Sequence, residues 1–171
     1  MGFRALPLSL LLVCGAGGVA AQSGGPRPAI AVLNLWFDGE HANVLEPGDT
    51  AVAQAATSRL LETLRASDAV TVTDSAHVAA AVAAQAAAGT RCDRGCAVAV
   101  GRALGAQWVA IGTLTKTSNL VWVLSAELCE VGTGTRVLAD GYEIKGDAMR
   151  MAPAGARVFA QRIEKTIGAR R

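Results

Sequence analysis

The segment Ala29-Ile30-Ala31-Val32-Leu33-Asn34-Leu35 constrains this chain more than any other, because it is apolar at both odd and even positions. Successive side chains of a strand point to opposite faces, so a half-exposed strand alternates and this one does not. Such a strand lies in the middle of a sheet and needs cover on both faces. The rest of the chain reads as the helices that supply it. Residues 36–48 form a long loop with Gly39, Pro47 and Gly48 in it, ending at Asp49, which suits a helix cap with its carboxylate near the positive end of the dipole. Over residues 50–66, Val52, Ala56, Leu60, Leu61 and Leu64 make one helical stripe.

Residues 69–73 alternate and are β-branched, which predicts a second strand. Asp74-Ser75 then caps a helix over residues 76–88, nearly all alanine and valine, which stops at Gly89 and is smooth enough to pack closely on a sheet. Asp93 caps a third helix that runs through Cys96, Val100 and Leu104 to Gly105. Residues 107–114 are apolar on both sides, as in a central strand. Lys116-Thr117-Ser118-Asn119 reads as a polar turn, and residues 120–129 alternate, with Leu120, Trp122, Leu124, Ala126 and Leu128 on one face. Gly132-Thr133-Gly134 makes a second turn before a strand over residues 135–144. After Asp147, a terminal helix starts near Ala152, because Pro153 is tolerated only in a first turn, and it buries Ala156, Phe159, Ile163 and Ile167. Early strands separated by helices and late strands joined by turns imply a single α/β domain. Its mixed β-sheet is parallel in the early strands, an antiparallel meander in the late ones, and has helices packed on it.

The amino terminus reads as a targeting segment. Met1-Gly2-Phe3-Arg4 is a short basic start, residues 5–13 are an apolar run too short to cross a bilayer, and Val19-Ala20-Ala21 offers the small residues a signal peptidase requires. Residues 1–21 are therefore expected to be a signal peptide, residues 22–28 a flexible Gly/Ser/Pro-rich leader, and residues 29–171 the domain. A competing reading acylates Cys14 and makes an outer-membrane lipoprotein, although Val13 is bulky for the position before a lipid-bearing cysteine. The formal net charge is +2 and falls further with the loss of Arg4, so nothing favours nucleic acid or an anionic membrane. No later stretch is apolar for long enough to insert in a membrane.

Export means an oxidising compartment, so Cys92 and Cys96, four apart at a helix entrance, are a disulfide candidate, and Cys129 is expected as a buried free thiol. A thiol-redox enzyme using Cys92 and Cys96 is the alternative, though the usual motif is one residue shorter. Zinc would need a second ligand pair, and the only histidines are His41 and His77. No glycine pattern for a nucleotide is present, so no cofactor is expected. Asp38, Glu40 and His41 lack an identifiable nucleophile or metal to work with, and they read as polar residues of a solvated loop. With Trp36 and Phe37 at its start, that loop is longer than a connection needs. All five residues are therefore partner-contact candidates, alongside an unpaired edge of the late meander.

Residues 29–33, the Cys92–Cys96 segment, residues 100–106 and Val109-Ala110-Ile111-Gly112-Thr113 together resemble the TolB amino-terminal-like and curli-assembly (CsgG-like) group of exported bacterial α/β proteins. Residues 116–120, the strand after them and Glu130-Val131-Gly132-Thr133-Gly134 are similar to small periplasmic members of that group. The resemblance implies a periplasmic, non-catalytic accessory or protein-binding module of the Gram-negative envelope, with another envelope protein as its partner. It supplies no catalytic residues.

Overall fold

The computed structural model describes residues 1–2, 25–40, 42, 44–87 and 89–170. Most of the expected signal peptide, its cleavage point, Cys14 and His41 lie outside the described residues.

Among the described residues six strands form one sheet: β1 (Ala29–Val32), β2 (Trp36–Asp38), β3 (Thr71–Val72), β4 (Trp108–Lys116), β5 (Val121–Glu130) and β6 (Arg136–Lys145). Their order is β3-β1-β4-β5-β6, with β2 also on β4. β1 is parallel to β3 and β4, β2 is parallel to β4, and β4, β5 and β6 are antiparallel neighbours. The mixed sheet is as its sequence implied. Four helices of the described residues pack on it: α1 (Asp49–Arg65), α2 (Ser75–Gln85), α3 (Arg94–Ala103) and α4 (Ala148–Gly168).

The two faces carry separate cores. On one, the α1 stripe and the α4 residues Ala156, Phe159, Ile163 and Ile167 pack on Trp108, Ala110, Leu114, Trp122, Leu124 and Leu128. On the other, Val78 of α2 and Ala97, Val98 and Val100 of α3 pack on Ala31, Leu33, Val109 and Cys129. The second core is smaller. In α2 only Val78 is buried, so the alanine helix meets the sheet along a narrow line rather than closely along its length.

Several elements depart from their sequence patterns, each for a physical reason. The first strand does not run straight to Leu35. Leu33 N still donates to Ala110 O at 3.0 Å, but Leu35 N turns away to Thr57 Oγ1 of α1, also at 3.0 Å. The chain then returns as β2, a strand inside what reads as loop. Val32 faces Ala110 while Trp36 faces Thr113, so one extra residue has entered between them. A bulge of one residue exchanges the faces of everything after it. Leu35 enters the larger core, and Trp36 is turned onto the opposite face.

Lys116 is not in a turn. It is the last residue of β4, fully buried, and its Nζ donates to Asp49 Oδ2 at 2.8 Å with Glu46 Oε2 at 3.7 Å and the Trp122 ring centroid at 5.4 Å. Asp49 is accordingly no cap. Gly48 holds that place, and the Asp49 carboxylate accepts from Glu46 N and Lys116. Leu120 belongs to the turn before β5 and is 70% exposed instead of sitting in the core. β3 spans two residues rather than five, and α2 ends at Gln85 with Ala86 extended. α4 begins at Ala148, because Asp147 caps it by accepting from Arg150 N, and the buried Ala152 and Ala156 hold that first part of the helix against the core with Pro153 inside it.

Candidate functional site

Among the described residues the second face is only half covered. α3 lies over Ala31, Val109 and Cys129, and α2 lies beside Leu33, but no described helix lies over the ends of β2 and β4 and the start of β5. What remains is a trough in two connected parts that share Arg91, Cys92, Ile111 and Gly112.

The first part is an apolar hollow of about 320 Å³. Leu33, Trp36 and Ile111 form its floor, and Val78, Val82 and Ala83 of α2 form its wall. Trp36 is 37% exposed. Phe37, its neighbour, points the other way and packs on Trp122 with ring centroids 5.8 Å apart. The adjacent aromatics of the sequence thus divide between the core and the trough.

The second part is polar. Asp38, opposite Thr115, sits on its rim, and its Oδ1 accepts from Glu40 N at 3.1 Å. Glu127 of β5 lines it. Arg94 donates to it twice, at 2.9 and 3.0 Å, and Arg136 of β6 once, at 2.9 Å. Burial pushes the Glu127 carboxyl up, but hydrogen bonds from Arg136 and Arg94 and their charges outweigh it, so the group is held below its usual range. Arg91 lies where the two parts meet and donates to Thr113 Oγ1 at 3.2 Å. Among the described residues no carboxylate pairs with it.

Cys92 and Cys96 are joined as a disulfide, with Cα atoms 5.3 Å apart. The bond ties the loop that carries Arg91 to the first turn of α3, where Asp93 Oδ1 accepts from Cys96 N at 2.9 Å. Cys129 is a buried free thiol under α3, and desolvation raises its pKa. Of the candidates read from sequence, the structure brings Trp36, Asp38 and Cys92 to one trough, sends Phe37 to the core and leaves Glu40 exposed beyond the rim. His77 is exposed at the start of α2, and among the described residues no group of histidine, cysteine or carboxylate side chains is arranged to hold a metal. Arg91, Arg94, Arg136 and the Ala/Val wall of α2 were missed. Glu127 did carry a signal, as an acidic residue on the face of β5 opposite Trp122, Leu124, Ala126 and Leu128.

These features define a class before they define a family: a three-layer α/β domain whose sheet is covered fully on one face and half on the other. The chain belongs to the family described as "Protein of unknown function (DUF2380)", whose model matches residues 28–162. No curated protein matches it. Among solved structures it is similar to the LpoB C-terminal domain from Salmonella enterica, with a TM-score of 0.52 and 19% identity over 72% of this chain and 87% of that one. The LpoB C-terminal domain from Escherichia coli gives a TM-score of 0.52 and 17% identity over 75% of this chain and 90% of that one. The hypothetical protein CT253 from Chlamydia trachomatis gives 0.51 and 16%, over 84% of this chain and 99% of that one. At such identities the likeness is one of fold. The resemblance read from the sequence therefore holds as far as a shared bacterial α/β fold.

Proposed function

We propose that this chain is an exported protein of the Gram-negative envelope, related to the TolB amino-terminal-like and curli-assembly group, which loses residues 1–21 and serves in the periplasm as a non-catalytic accessory module binding another envelope protein. The half-open sheet face carries the reading. Among the described residues, β-strand side chains are left uncovered beside a ten-residue edge strand, β6, whose outer side no other described strand pairs, and that offers a surface for a partner. Export is supported by the sequence of the amino terminus and by a disulfide, which persists in an oxidising compartment. No helix among the described residues is long and apolar enough to cross a membrane.

The thiol-redox alternative is disfavoured by Asp93. Its carboxylate occupies the amino terminus of α3 beside Cys96, where it opposes the thiolate that such chemistry needs. The lipoprotein alternative turns on Cys14, and amino-terminal sequencing of the exported protein decides it: a start at Gln22 supports cleavage, and an acylated Cys14 overturns it. Partner binding is tested by placing a photo-crosslinking residue at Asp38 or Ala139 on the open face, and at Arg157, exposed on α4, as a control. Capture of one discrete envelope protein from the first two positions and not from the third is expected. Capture from none, or equally from all three, refutes the assignment.

A further inference from the structure

The apolar hollow beside α2 has features that a protein-binding surface does not require. Its volume, about 320 Å³, is that of a small-molecule site. Its wall is largely the Val/Ala face of α2 and its floor the side-chain face of the sheet, while Asn34, Ser75 and loop residues 86, 87 and 89–92 complete the lining. Both present side chains, because the backbone groups of helix and sheet are spent on their own hydrogen bonds. A peptide lying there would bury amide groups without partners, at a cost of about 1–3 kcal/mol for each. An unbranched alkyl chain has none to bury, and the alanines of α2 leave room for its width.

One end of the hollow is charged. Arg91 lines it and also borders the polar part of the trough. Arg94 and Arg136 are both committed to Glu127, whereas Arg91 gives one hydrogen bond to a neutral hydroxyl. A guanidinium has five donors, so most of those on Arg91 are left for another acceptor. The Cys92–Cys96 disulfide begins at the next residue and limits how far Arg91 can turn from the hollow. We infer that this hollow binds a medium-length acyl carboxylate, with its chain along the alanine wall of α2 and its head on Arg91.

The purified chain with its disulfide intact is sufficient for the test, and no partner protein is needed, so failure here is separate from failure of the crosslinking above. Decanoate is titrated below its micellar concentration and followed by tryptophan fluorescence and by calorimetry. Trp36 lines the hollow, while Trp108 and Trp122 are buried elsewhere. Saturable binding is expected. Arg91→Gln weakens it about tenfold, the low end for a charged hydrogen bond at an exposed site. Decanol binds the unaltered protein about as weakly as decanoate binds that variant. Ala83→Trp fills the hollow and abolishes binding. Both substituted side chains are exposed, and an unchanged urea midpoint verifies that each variant folds. Absence of saturable binding by both methods overturns the inference, as does full affinity in either variant.

Discussion

Replacing Lys116 by methionine tests a buried ion pair at the end of β4. Lys116 is fully buried at the end of β4, and Asp49, its partner at 2.8 Å, is 8% exposed. Methionine keeps the length of the stem and its packing on Trp122 but removes the charge. The Asp49 carboxylate is then buried with only the Glu46 N–H still donating to it. Breaking a buried pair by removing one partner costs about 3–5 kcal/mol, and the surviving bond argues for the lower end. Against a typical domain stability of about 5–15 kcal/mol, that loss is large. In urea it moves the unfolding midpoint down by about 1–2 M. Adding Asp49→Asn removes the stranded charge while keeping an acceptor for Glu46 N, and the double variant recovers at least about 1 kcal/mol over Lys116→Met alone. A loss below about 1 kcal/mol in the single variant, or no recovery in the double, would show that water reaches the pair and would refute its placement inside the core.

Two further outcomes follow from the titrating groups and the thiols. The Asp49 and Glu127 carboxyls are both held below their usual range, so each contributes stability that is complete above the unfolded value near about 4 and is lost as pH falls through its folded pKa. Urea midpoints should stay level from about pH 7 to pH 5 and fall below about pH 4, and Glu127→Gln should make that fall shallower; an unchanged acid limb in the variant counts against the Arg94–Glu127–Arg136 cluster. Joint replacement of Cys92 and Cys96 by serine costs only about 1–3 kcal/mol because the closed loop is short. Titration of the oxidised protein lacking residues 1–21, and so lacking Cys14, with a thiol reagent should find no reactive group until denaturant exposes Cys129, and one reactive thiol under native conditions contradicts its burial.

Much of this fold is legible in the sequence because local pattern and tertiary demand agree. The stripe from Val52 to Leu64, the alternation through Trp122, Leu124, Ala126 and Leu128, and the Ala156–Phe159–Ile163–Ile167 face each record which side meets the core. The departures occur where a distant contact outweighs the local signal. A lysine in front of Thr-Ser-Asn reads as solvent-facing, and only an aspartate 67 residues away makes it a buried end of a strand. Leu120 continues an alternation that the turn interrupts. Pro153 argues for a later helix start, yet the Asp147 cap and two buried alanines outweigh one missing N–H. The trough was harder still, because Arg91, Arg94, Glu127 and Arg136 come from separate elements and no single segment holds their pattern.

The link between core and trough is the extra residue between Val32 and Trp36. Without it, a continuous strand would keep the register that sets Val32 against Ala110, and Trp36 would then face Leu114 on the side of α1 and α4. With it, Leu35 fills that side, Trp36 crosses to the other, and Leu35 N finds Thr57 on α1 instead of a strand partner. A bulge in a central row gives up part of the ladder between β1 and β4, and a chain selected for stability alone gains nothing from that. It also sets a large aromatic at the floor of a hollow that α2 leaves open, within the part of the sheet where Arg91 and the disulfide loop converge. Among the described residues, the irregular backbone, the uncovered face and the charge without a carboxylate partner thus occupy one place. That coincidence, more than any single residue, is the reason binding is proposed for this face and not for the one that α1 and α4 seal.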